Sequence, residues 1–319
     1  MFEKILIPLD GSSLAECVLP HLLVFAQAFE SDVTLLRVLE RPSGSAHDEA
    51  IDPLEWQLIK SEAKAYLQNV ANRLEQHGLE ANTEIKEGQA EEHIIEYVKH
   101  NQIDLIIMSS HGESGLSGWN ISSVVQKTIL RAYTSTLIVR AYQSPEEGLE
   151  RDGYGKILVP LDGSQRAENV LASATILADF CDAHLLLTHL VLQPEIISHT
   201  ALTPSEHELI NEITAVNKQK ANQYLEGIRS RTKEDIDLHL HVEVGHSVEE
   251  IHELVENEDV DLVVLSAHGQ SGNPKWPYGS VALSFVAYGT TPLLIIQDIS
   301  RQEAQESRAE IAAREEKGH

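Results

Sequence analysis

The chain has 319 residues, 42% of them hydrophobic, and 50 acidic against 24 basic residues give a formal net charge of −26. That length allows two ordinary domains, each with its own core. The acidity is general, net −12 over residues 1–150 and −14 over the rest, so the surface repels nucleic-acid backbone and anionic lipid and excludes both as direct partners.

The start, MFEKILIPLDGSS, lacks the apolar stretch and small-residue cleavage site of a signal peptide. No run of about 20 apolar residues offers a membrane span. Cys17 and Cys181 stand in separate halves of the chain, inside helix-like patterns, with no CxxC or zinc spacing. They read as buried free thiols of a reducing cytoplasm.

In chain order, the first predicted element is KILIPL, a buried strand that ends at Asp10 in PLDGS, residues 8–12. IDLIIMSSHGESG at 103–115 is an apolar strand running into a glycine loop. QSPEEGLERDG at 143–153 is rich in proline, glycine and charge and reads as a seam. After it the chain says the same thing again. KILVPLDGS at 156–164 repeats 4–12, and VDLVVLSAHGQSG at 260–272 repeats 103–115. Asp10 pairs with Asp162 at an offset of 152, Gly112 with Gly269 at 157, so the second copy holds five extra residues.

Within the second copy, RAENVLASATILADF predicts an amphipathic helix and HLLLTHLV a second strand. SEHELINEITAVNKQKANQYLEGIRSR predicts a long helix. DLHLHVEV alternates as a strand, and SVEEIHELV opens with a Ser-x-x-Glu capping box. VDLVVLS and TPLLIIQ, separated by one more helix, complete five strands. Continuous Val/Ile/Leu runs alternating with helices predict parallel strands buried on both faces. The expected fold is α/β: two tandem doubly wound domains, each a five-stranded parallel sheet flanked by helices. The expected layout is a first copy over 1–142, a linker at 143–154, a second copy over 155–299 and a charged tail at 300–319.

Ligands of open α/β sheets lie beyond the carboxyl ends of the strands, where strand order reverses. Two motifs of each copy fall there. The acid of PLDGS takes ribose hydroxyls, coordinates a metal, or caps the following helix, and the residues alone leave these open. The glycine loop before Gly279-Ser280 permits a tight turn and close approach of a ligand. A helix opening there points free N–H groups at an anion. Neither GxxxxGK[ST] nor GxGxxG occurs. His111 and His268 precede the loop glycines, with no catalytic partner assignable from sequence. The 16 histidines show no HxxxH or HExxH spacing, so a metal ligand set is left unassigned.

PLDGS, then [IV]DL[IV][IV][ML]S[SA]HG, then a spaced [GS]S before a helix and a Leu/Ile-rich final strand resembles the universal stress protein family, in tandem form, over almost the whole chain. The resemblance implies a five-stranded parallel sheet and dimerisation through the last strand, here an intrachain pseudo-dimer of the two copies with a homodimer as a further option. One branch of that family binds ATP through G-x2-G-x9-G-[ST]. The second copy matches it from Ser266 through Gly269 to Gly279-Ser280, departing only at Ser266. The first copy reads Ser109, Gly112 and Ser122-Ser123, with both outer glycines replaced.

By that resemblance ATP, with Mg2+ or Mn2+, is held mainly by the second copy. Asp162 faces the nucleoside, Leu190 packs on adenine, and Ser266, Gly269, Lys275, Gly279, Ser280 and Val281 surround the phosphates. The weaker counterparts in the first copy are Asp10, Val38, Ser109, Gly112, Ser122 and Ser123. The nucleotide is then a regulatory or structural ligand of a stress protein. A slow ATPase and a nucleotide-free interaction module are the alternatives.

Overall fold

The structure, a computed structural model, describes residues 1–40, 52–112, 115, 121–141, 149, 153–194, 203–270, 277–299 and 303. Most of the expected linker and tail fall outside these. The chain divides into two compact units, Met1–Gly153 and Tyr154–Asp298; Ile299, buried against Tyr133, belongs with the first.

The first unit runs β1 (Lys4–Pro8), α1 (Ser13–Glu16), α2 (Leu19–Phe29), β2 (Asp32–Leu39), α3 (Pro53–Glu75), β3 (Ala81–Glu87), α4 (Ala90–Asn101), β4 (Leu105–Ser109), α5 (Ser123–Ala132) and β5 (Ser135–Val139). Its strands pair in parallel in the order β3-β2-β1-β4-β5. The second unit repeats the plan with β6 (Lys156–Pro160), α6 (Gln165–Glu168), α7 (Leu171–Cys181), β7 (His184–Leu192), α8 (Pro204–Arg229), β8 (Leu238–Gly245), α9 (Glu249–Asn257), β9 (Leu262–Ser266), α10 (Ser280–Tyr288) and β10 (Leu293–Ile296). Its order is β8-β7-β6-β9-β10, again all parallel. The expected fold class is therefore present twice.

The central strands are apolar on both faces because helices cover both. Ile5, Leu6 and Ile7 of β1, and Ile157, Leu158 and Val159 of β6, have no solvent exposure. Each such side chain contributes about 1.5–3 kcal/mol by leaving water. Strand order reverses between β1 and β4, and between β6 and β9. The crevice of a doubly wound sheet opens at that point.

Two local expectations change. The helix expected over RAENVLASATILADF is two helices, α6 and α7, with a break at Asn169 and Val170. The first unit breaks at the same place, where Pro20, in the first turn of α2, lacks an N–H for the preceding turn. At SVEE only half of the capping box forms. Glu250 reaches back to the Ser247 N–H at 3.0 Å, but Ser247 Oγ accepts from Glu249, and no side chain caps α9 in the usual position. The complete capping box opens α8 instead, with Thr203 and Glu206 bonded reciprocally.

Candidate functional site

In both units PLDGS is one turn built twice. Gly11 and Gly163 take the left-handed conformation (φ 86° each) that a side chain would oppose. The aspartate is not the helix cap. Ser12 Oγ accepts from Ala15 N at 3.1 Å, and Ser164 Oγ accepts from Ala167 N at 3.1 Å, so the serines cap α1 and α6. Each serine in turn donates its N–H and hydroxyl to the aspartate's Oδ1, at 2.9 and 2.6 Å for Asp10 and 3.0 and 2.6 Å for Asp162.

The second aspartate oxygen faces the glycine loop. Asp162 Oδ2 accepts from Gln270 N at 2.5 Å, and a Cβ on Gly269 would collide with it, as one on Gly112 would with Asp10. These two glycines are needed because strand tip and loop touch. Partial desolvation pulls the Asp162 pKa up. The hydrogen bonds from Ser164 and from the Gln270 N–H outweigh it and hold the carboxyl below the ordinary Asp value.

Beyond β4 and β9 the chain returns with one shared contact: Ser122 N donates to Ser110 O, and Gly279 N to Ala267 O, both at 2.7 Å. There the two copies part. Ser122 Oγ accepts from Val125 N at 3.3 Å and caps α5. Gly279 caps α10 with the same extended backbone but has no side chain, so the corresponding Ala282 N–H has no such cap. Ser280 and Val281 form the open first turn. At the end of β9, Ser266 Oγ is buried with no hydrogen-bond partner among the described residues. Its counterpart Ser109 donates to His111 O at 2.6 Å.

Asp10, Val38, Ser109, Gly112, Ser122 and Ser123 all line one cavity of about 450 Å³ in the first unit. In the second, the structure brings Asp162, Gly269 and the strand end at Ser266 together, with Gly279 held on Ala267. Leu190 is half-buried near the end of β7. Lys275 lies outside the described residues.

Sequence reasoning missed the residues just before Val38 and Leu190. Arg37 lies 5.2 Å above the Tyr66 ring, and its guanidinium covers Gly11 so closely that a Cβ there would strike it. The register of β1 with β2 and of β6 with β7 makes His189 its equivalent. Burial lowers the His189 pKa despite the nearby Asp162 charge, so this ring is neutral at pH 7. Among the described residues nothing lies over Gly163. Trp56, whose Nε1 donates to Glu87 at 2.9 Å, adds an aromatic wall to the first cavity. Reading the strand tips by position would have flagged Arg37, a cation at the mouth of an expected anion site.

The two histidines before the loop glycines have partners that the sequence did not reveal. His111 Nδ1 lies 3.1 Å from Ser110 Oγ, which accepts from Ala141 N. His268 Nδ1 lies 2.6 Å from Asp298 Oδ1, both fully buried. These contacts tie the loop to the end of the sheet.

Comparison with known proteins decides the family. The model of the universal stress protein family matches residues 1–140 and again 153–297. The chain belongs to the universal stress protein family. Single-domain relatives match about half of it. The universal stress protein MJ0531 of Methanocaldococcus jannaschii is 29% identical over 141 residues, 44% of this chain and 83% of its own. MJ0577 of the same organism is 28% identical over 159 residues, 45% of this chain and 98% of its own. A solved universal stress protein from Archaeoglobus fulgidus shares the fold over 93% of this chain and 99% of its own, at 19% identity and a TM-score of 0.63. No helix among the described residues of this universal stress protein is long and apolar enough to cross a membrane.

Neither cysteine is in a disulfide. Cys17 is buried behind the first cavity, 3.5 Å from Ser109 Oγ, whereas Cys181 is half-buried, so the expectation of two buried thiols holds for Cys17 alone. Burial pushes the Cys17 thiol up to about 11. At pH 8 roughly one part in a thousand is then thiolate, the reactive form. An aromatic disulfide reagent is expected to titrate one fast thiol per native chain, lost in Cys181→Ser. Two equally fast thiols would contradict the burial.

Proposed function

We propose that this universal stress protein binds ATP mainly through its second repeat, as a regulatory or structural ligand. The observation that carries the reading is that, among the described residues, no side chain caps the start of α10 at Gly279, none crowds the Gly163 turn and none partners the Ser266 hydroxyl. Free N–H groups at a helix N-terminus suit phosphate oxygens. In the first repeat Ser122 already occupies the equivalent N–H, and Arg37 covers the turn. The donor set fits an anion. Mg2+ or Mn2+ would ride on the phosphates and offset their charge, and the triphosphate supplies its ligands. Calorimetric titration of the full chain with Mg-ATP is expected to give about one tight site.

A second reading, nucleotide in both repeats, is favoured by the well-formed first cavity of about 450 Å³. Two equal sites in the same titration would establish it. No binding at all would leave the nucleotide-free interaction module.

The resemblance further suggests that the two repeats associate through their last strands. TSTLIVRA and TPLLIIQ have the apolar character to cover each other's edges. Each half expressed alone is expected to self-associate, with a mass near twice its own in sedimentation. Well-behaved monomers at high concentration would reject the pairing.

A further inference from the structure

At the other end of the second unit's strands lies a different chemistry. Around β8, Asp237, His239, His241 and Glu243 alternate with Leu238, Leu240, Val242 and Val244. The two-residue period of a strand sets two imidazoles and two carboxylates on one face. His184 opens the neighbouring strand, and the pairing of Leu185 with Leu238 places it beside Asp237.

The contacts are close. His184 Nδ1 meets Asp237 Oδ2, and His239 Nε2 lies 3.0 Å from Asp237 Oδ1. The two imidazoles stand edge to face, 5.8 Å apart. One ligand atom from each of the three residues lies within 4.8 Å of the others, and all three residues are exposed. Bonds of about 2.0–2.2 Å in a tetrahedral zinc site put ligand atoms about 3.3 Å apart, so small side-chain rotations suffice to reach it.

The fold does not require these residues. The same pairing in the first unit puts Asp32, Glu80 and Asn82 in their places, and its strands have the same order. The imidazoles are a property of this copy alone.

We propose that His184, Asp237 and His239 bind a divalent transition metal, Zn2+ foremost, clamping β7 to the sheet-edge strand β8. Two imidazoles and one carboxylate select zinc, nickel or copper over the hard cations that accompany phosphate. His184 and His239 line a cleft of about 370 Å³, where Glu258 is bound to Lys156 at 2.8 Å. This end of the strands is opposite the nucleotide motifs, so the metal acts on the sheet edge and takes no part in phosphate chemistry.

The test uses the full chain without a polyhistidine tag, titrated with zinc chloride in a non-coordinating buffer. One Zn2+ per chain is expected, with a raised melting temperature. His184→Ala and His239→Ala are each expected to weaken binding at least about tenfold and to abolish the shift in melting. His207→Ala, on α8, is expected to bind as the parent does. Because the ligands are exposed, the two variants keep the fold, which circular dichroism checks. Absence of one-to-one binding, or binding unchanged in both variants, overturns the site.

Discussion

Gly279→Ser is expected to weaken Mg-ATP binding by roughly ten- to a hundredfold while leaving the fold intact. The substitution copies the first repeat, where Ser122 holds an equivalent backbone with its hydroxyl on Val125 N. A serine at 279 would turn its oxygen onto Ala282 N and remove a donor from the phosphate. A hydrogen bond to a charged group is worth about 1.5–3 kcal/mol, and each 1.4 kcal/mol is tenfold. The fold tolerates the change, since a Cβ on Gly279 meets its nearest neighbour, Ala267 O, at an ordinary 3.5 Å. Gly279→Val is expected to abolish binding outright, because a branched apolar group would occupy the phosphate position. Ser122→Gly is the reciprocal test: it costs the fold only a few tenths of a kcal/mol and opens the first repeat to a second equivalent of nucleotide. Unchanged affinity in both Gly279 variants would sink the assignment.

Mg-ATP at a hundredfold excess over its Kd is expected to stabilise the chain by about 2.7 kcal/mol, or very roughly 5–10 °C in melting temperature. Phosphate release should stay far below the median enzyme turnover of about 10 per second. Hydrolysis needs an aligned water and charge stabilised at the transition state. Asp162 is poorly placed to supply a base. Its Oδ1 takes two hydrogen bonds from Ser164, its Oδ2 takes one from Gln270, and its pKa is depressed. His268 is buried against Asp298. A slowly hydrolysed analogue should therefore protect the fold as well as ATP does. Turnover near ordinary enzymatic rates, lost in Asp162→Asn with binding retained, would make the protein an ATPase.

The fold was legible because its signal is long and repeated. Runs such as KILVP and LVVLS are buried on both faces, and period and length place them without ambiguity. What escaped the sequence depends on contacts distant along the chain. The division of labour in PLDGS, serine as cap and aspartate as anchor, rests on Gln270 coming back to Asp162 across 108 residues. Asp298 as the partner of His268 is likewise a consequence of strand order. Arg37 over Gly11 depends on a side-chain path that no local pattern encodes. The helix break after Glu168 escaped because apolar spacing continues across it. The histidines of β8 were visible as a strand, yet their neighbour His184 becomes one only through register.

Each sheet has two unlike rims. β5 and β10 come last in the strand order of their units and are buried and largely apolar, Ser135–Val139 and Leu293–Ile296, whereas β3 and the face of β8 opposite its leucines and valines carry charge and imidazole. Charged rims resist the addition of another strand. A sheet that can be joined on one side only cannot grow into a filament: once two apolar rims have met, no sticky edge remains. If the last strands pair as proposed, edge-to-edge growth stops there, which would guard a strand-rich chain of this kind against fibrillar aggregation.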